Sequence, residues 1–196
     1  FGAYRVTEWS PGKRVVMAAN EDHWRGAPEI KKIIYLVVPE SANRVALLQQ
    51  GKVHMAEGLT PDEIVALASS DKARGVAVRG NQSMWVMINN ELPPYDNLKV
   101  RQAINHVINR ETIASNIYHG MMNPWQGVMP STYPGYESWL KYDFDPAKAK
   151  QLLADAGFPD GFDAELTFDA AQAAMESIAI LLQSDFKKAG INLSLK

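Results

Sequence analysis

Apolar residues fall in short runs through the first ninety positions and recur at helical spacing after Leu98. Residues 3–9 (AYRVTEW) and 13–19 (KRVVMAA) flank Ser10-Pro11-Gly12, with proline and glycine where a turn uses them, which predicts a β-hairpin. IIYLVV (33–38) is a short continuous apolar run and predicts a buried strand. Ser41 is placed to cap a helix through SANRVALLQQG, stopped at Gly51. KVHMAEG (52–58) alternates as a strand does. TPDEIVALASS (60–70) carries a capping Thr60, Pro61 in the first turn and acids that suit the helix dipole. GVAVRG (75–80) and MWVMINN (84–90) add two strand candidates.

Beyond Leu98, the stripe Val100, Ala103, Ile104, Val107 and Ile108 predicts an amphipathic helix, and ETIASNIYHG a second one ending at Gly120. A loop rich in proline, glycine and aromatics follows. Asp145-Pro146 then opens a helix with the stripe Ala149, Leu152, Leu153 and Ala156, halted by Gly157. AELTF (164–168), a helix through Ile178, Leu181, Leu182 and Phe186, and the strand INLSL complete the pattern. Strands alternating with helices predict an α/β layer architecture, a mixed sheet with flanking helices. Leu92-Pro93-Pro94 is the best boundary, because two prolines admit neither a helix nor a central strand. Residues 1–90 are therefore assigned to one lobe, 91–96 to a hinge or crossover, and 97–196 to a second, helix-rich lobe.

A chain of 196 residues, 46% hydrophobic, can bury one substantial core or two small ones. A net charge of −2 gives no field that would draw it to nucleic acid or an acidic membrane surface. No apolar run reaches the roughly 18–20 residues that span a bilayer. The absence of cysteine excludes disulfides, thiolate metal sites and a cysteine nucleophile. The opening FGAYRVTEWS, without methionine or leader, and the closing INLSLK suggest a piece of a longer protein. Exposed strand edges would then favour association of the fragment.

Catalytic and metal constellations are scarce. His23, His54, His106 and His119 include no i, i+3 or i, i+4 pair, so zinc-protease spacing is absent and no metal site is expected. His106 reads as a surface residue, His119 as a helix-end residue beside Gly120, and His54 as a buried, hydrogen-bonded strand residue. Phosphate-loop, dinucleotide and serine-elbow patterns are missing, and no cofactor is expected. The acid pairs Glu21-Asp22 and Asp62-Glu63 invite a glycosidase reading, which needs two carboxylates about 5–9 Å apart. Asp62-Glu63 already has a helix-start explanation, and Asp145 one as a cap. Trp125, Tyr133, Tyr136, Trp139 and Tyr142 crowd one polar loop. They either pin that loop to its own lobe or, for one or two of them, face a cleft.

Several stretches, in order, carry a family resemblance. GAYRVTEW with PGKRVVMAANEDHW, RVALLQQGKVHMAEGL, INNELPPYDNLKVRQAINHVINRETI, DPAKAKQLLADAGFPDGF and FKKAGINLSL together resemble the extracellular solute-binding protein family 5. These are binding components of ABC importers for dipeptides, oligopeptides, nickel and related solutes. The resemblance covers nearly the whole chain. Ala3 stands where the family usually has proline. The acidic residue with which peptide-binding members hold a ligand's amino terminus belongs to a later region with no counterpart here. The resemblance implies a periplasmic or membrane-anchored extracellular receptor with a type II periplasmic-binding-protein-like fold. Its two lobes close over a solute, and it works with a membrane permease.

On MWVMINN, Val86 and Ile88 alternate to one side, while Trp85, Met87 and Asn89 point to the other. That second face either lines a cleft or packs under a helix, with Asn89 bonding to loop backbone. Trp85, Met87, Asn89 and Trp125 are the candidate ligand-binding residues. Peptide is the preferred ligand class on family frequency, with oligosaccharide, opine or metal complex as alternatives. A carboxylate-dependent hydrolase and a sensor or chaperone are the competing classes.

Overall fold

Gly12 takes φ +68°, the left-handed value required late in a tight turn, and Lys13 N–H donates to Ser10 O at 3.0 Å. This turn joins β1 (Tyr4–Ser10) to β2 (Arg14–Ala19), and β3 (Lys32–Leu36) adds antiparallel to β2. The computed structural model describes every residue except 1, 79, 81–82, 125, 128, 130, 138–141 and 173. It divides into two compact units, Phe1–Glu57 and Gly58–Lys196. The 91–96 segment lies inside the second unit.

The first unit holds the three-stranded sheet, order β1-β2-β3, and helix α1 (Ser41–Gln49). Glu8 and Arg14 face each other across the hairpin, with Arg14 Nε donating to Glu8 Oε1 at 2.8 Å and Nη2 to Oε2 at 3.0 Å. The expected burial of β3 is not found: Ile34, Tyr35, Leu36 and Val37 are about half exposed. An apolar run predicts burial only where another layer covers it. Ser41 is the first helical residue rather than the cap. Glu40 holds the N-cap position, and Arg44 fixes the entry by donating to Val38 O and Pro39 O.

The second unit opens with α2 (Pro61–Leu67), where Thr60 and Glu63 form a reciprocal capping box. Its core joins α3 (Leu98–Val107), α5 (Pro146–Asp155), α6 (Met175–Lys188) and the parallel pair β4 (Phe162–Leu166) and β5 (Ile191–Leu195). Between α3 and α5, α4 (Arg110–Thr112) runs into a π-helical turn over Ile113–Ile117. Val100, Ala103, Ile104 and Val107 of α3 are buried against Ala149 and Leu153 of α5 and Ile178, Leu182 and Phe186 of α6. Asn97 and Asp145 cap α3 and α5. Gly161, at φ +79°, lets the chain enter β4 beside the turn before β5, where a Cβ would meet Gly190 O at 1.9 Å.

Three expected strands form no ladder among the described residues: 52–58, 75–80 and 84–90. Strand propensity makes a strand only when a neighbour supplies the hydrogen bonds. His54 accordingly lies exposed rather than buried. β4 begins two residues before the expected AELTF. The chain is α/β, with an antiparallel and a parallel sheet in separate units and helices beside them.

Candidate ligand-binding site

The residues from Met84 to Asn89 keep strand-like alternation without a strand partner. Met84, Val86 and Ile88 pack against the core, while Trp85 and Met87 are 60% and 86% exposed and Asn89 is exposed. Asn89 Oδ1 accepts from Glu91 N–H at 3.0 Å, closing a turn before the prolines. Arg101 clasps the next stretch, its Nη1 donating to Tyr95 O at 2.8 Å and Asp96 O at 2.9 Å. Arg101 thus ties Tyr95 and Asp96 to α3.

Among the described residues, two cavities border this segment within the second unit. The larger, about 510 Å³, lies among Trp85, Ile104, Ile113, Met122, Phe168 and Ile178. The smaller, about 220 Å³, has Met87 and Asn89 on its wall, with Tyr95, Phe162 and Glu165. Val86 and Ile88 line both. Trp85, Met87 and Asn89 therefore all border cavities, but not the same one. Trp125 lies outside the described residues, as does Trp139.

The larger cavity suits a small organic molecule in size, and its wall is mostly apolar with a few polar groups. Chief among these is Arg110, which sequence reasoning passed over. Its Nη1 donates to Asn105 O at 3.1 Å and Ile108 O at 3.3 Å, and its Nη2 to Asn105 Oδ1 at 3.0 Å. Burial lowers its pKa from the ordinary arginine value. Asp169, on the same wall, accepts from Ala171 N–H at 3.0 Å and from Gln172 Nε2 at 3.3 Å. Gln126 ties the long loop to itself, accepting from Tyr142 N–H at 2.6 Å and donating to Tyr142 O at 3.1 Å. Tyr136 adds its hydroxyl to Gln126 O at 3.4 Å. For Tyr136 and Tyr142 the loop-pinning role is what the contacts describe.

The histidines stand apart from these walls. His106 stacks edge-on to Tyr142 and its Nδ1 meets Asp143 O at 2.9 Å. His119 Nε2 lies 2.6 Å from Asp62 Oδ1. No group of three or more metal-ligating side chains occurs among the described residues, and no helix there is long and apolar enough to cross a membrane.

The family model for bacterial extracellular solute-binding proteins, family 5 Middle, matches residues 1–196. The chain belongs to that family. It is 27% identical over 195 residues to heme-binding protein A of Haemophilus influenzae, covering 97% of this chain and 36% of that one. It is 28% identical to the glutathione-binding protein GsiB of Salmonella paratyphi A, covering 97% and 37%. Among solved structures it matches the ABC transporter-associated periplasmic binding protein DppA of Helicobacter pylori, in complex with the peptide STSA. That match has a TM-score of 0.83 and 26% identity, over 100% of this chain and 38% of the other. The chain thus spans little more than a third of the length of these family 5 relatives.

Proposed function

We propose that the chain is part of the solute-binding receptor of an ABC importer, capturing a peptide between two lobes and releasing it unchanged. The observation that carries this is the family match across all 196 residues. The fold's likeness to a peptide-bound receptor supports peptide as the solute class. In this reading residues 91–96 form a crossover between lobes, and Trp85, Met87, Asn89 and Trp125 meet the ligand. The receptor acts outside the cytoplasmic membrane, hands its cargo to a permease and does no chemistry on it.

The test uses the intact protein bearing residues 1–196. Candidate peptides should raise its melting temperature and be recovered unaltered by mass spectrometry. Cleavage of the peptide would instead establish the hydrolase. Trp85→Ala should weaken binding by up to about tenfold, since an aromatic contact contributes roughly 0.5–1.5 kcal/mol. It should change stability by less than about 1 kcal/mol, because the side chain is 60% exposed. Unchanged affinity with a large stability loss would return Trp85 to the core.

A further inference from the structure

Pro124, Gln126 and Gly127 bring the long loop onto the wall of the larger cavity. The side-chain amide of Gln126 is turned to Tyr142, where Oε1 accepts from the N–H at 2.6 Å and Nε2 donates to the carbonyl at 3.1 Å. This two-point pairing resembles the exchange of bonds between two strands. It joins the loop side of the cavity to the segment that leads into α5. A wall made by a loop is only as fixed as the element it is tied to.

Here the tie runs on to α3 through one side chain. His106 is half-buried, one residue before the end of that helix. Its ring lies edge-on to Tyr142 with centroids 5.2 Å apart, and its Nδ1 is 2.9 Å from Asp143 O. A carbonyl only accepts, so Nδ1 carries a proton and donates. The His106 carbonyl in turn accepts from Asp145 N–H at 2.8 Å. Behind His106, Val100, Ala103, Ile104 and Val107 hold α3 in the core. Ile104 also lines the same cavity, so α3 supplies part of its wall directly and holds another part through His106. Lys188, 5.1 Å over the Phe144 ring, fastens the same segment to α6. Loss of the imidazole should therefore loosen the segment rather than free it.

We infer that His106 is a positioning residue for this cavity. It fixes Tyr142 and Asp143, through Tyr142 it fixes Gln126, and it thereby sets how readily the loop side opens for a ligand to leave. The hold on the wall is independent of any ligand, whereas its effect on ligand exit rests on the receptor reading. Dissociation is the step to measure, since affinity differences among variants of one site fall mostly there.

The experiment compares the intact protein bearing residues 1–196 with His106→Leu and His106→Asn. Leucine keeps apolar bulk without a donor, and asparagine offers an amide N–H in place of Nδ1. In ligand-free protein, protection of the Tyr142 amide, corrected for intrinsic exchange, should fall about three- to tenfold in His106→Leu, the range for one lost hydrogen bond. Amides of α5 and α6 should keep their protection, and His106→Asn should restore that of Tyr142. Dissociation of Leu-Leu, a probe suited to the mostly apolar wall, should quicken by a similar factor in His106→Leu and return near its original rate in His106→Asn. Gln126→Met cuts the same tie at its other end, so adding His106→Leu to it should change dissociation little further. Unchanged Tyr142 protection, an equal loss across α5 and α6, or an asparagine variant that matches the leucine one overturns the hold and leaves the receptor reading standing. A loosened Tyr142 with unchanged dissociation overturns the effect on exit. If neither Leu-Leu nor longer peptides bind, the receptor reading falls together with the exit role, and the exchange result alone decides whether His106 holds the wall.

Discussion

Asp185 is the residue whose environment the sequence least suggests. It sits on the inward face of α6, 1% exposed, with Oδ1 2.6 Å from Lys188 Nζ and Oδ2 without a hydrogen-bond partner among the described residues. Lys188 is half exposed and also lies 5.1 Å over the Phe144 ring, so its charge is only partly desolvated. Removing it leaves a buried carboxylate alone. Lys188→Ala should therefore destabilise by about 2–3 kcal/mol, while Asp185→Asn, which lowers the burial cost as it weakens the pair, should cost less. Urea denaturation of the two variants decides this, and a reversed order would show that the pair contributes little. Thr60 offers a simpler case. Thr60→Ala loses the bond from Glu63 N–H and should cost about 1 kcal/mol.

The helices of the second unit rest on residues whose spacing announces them. Val100, Ala103, Ile104 and Val107 recur at the predicted positions and all are buried. Leu153 is fully buried between α5 and its neighbours, so Leu153→Ala should cost about 2–5 kcal/mol, read as a lowered urea midpoint. The cap at Asp145 and the hairpin at Ser10-Pro11-Gly12 were equally legible, because each depends on a few adjacent residues. The unpaired stretches 52–58, 75–80 and 84–90 were not, since a strand is decided by a partner distant in sequence. Arg110 was missed for a related reason. Its place on a cavity wall arises from α3, the loop around Met122 and α6 coming together, which no local spacing reveals. The hairpin carries a pH prediction of its own. The hydrogen bond from Arg14 holds the Glu8 carboxyl below its ordinary pKa of 4.5, so the pair stabilises above that value and fades as pH falls through the lowered one. The protection of the β1 and β2 amides, small as it is, should fall further on acidification below about pH 4.5, once rates are corrected for intrinsic exchange, and less so in Glu8→Gln. Identical acid profiles would remove the pair from the account.

The two units differ most in how much apolar surface they hide. In the second, α3, α5, α6 and β5 surround a continuous core. In the first, Val16 is the single buried apolar side chain among the described residues, while Val6, Trp9, Ile34, Tyr35, Leu36 and Val37 stand exposed on a three-stranded sheet. A sheet so open cannot draw much stability from its own burial, so amide exchange should be slowest in the second unit and fast throughout β1–β3. The open edge and apolar faces also favour pairing between chains. The 196-residue chain should therefore associate with rising concentration in sedimentation experiments, and Ile34→Lys with Leu36→Lys should shift it toward monomer. That double change places charge on β3 while leaving the second unit's core untouched, so loss of association with α3, α5 and α6 still protected would assign the contact to the first sheet. A chain that stays monomeric without the charges, with β1–β3 as protected as α6, would mean the first unit is covered in solution by something other than a second copy.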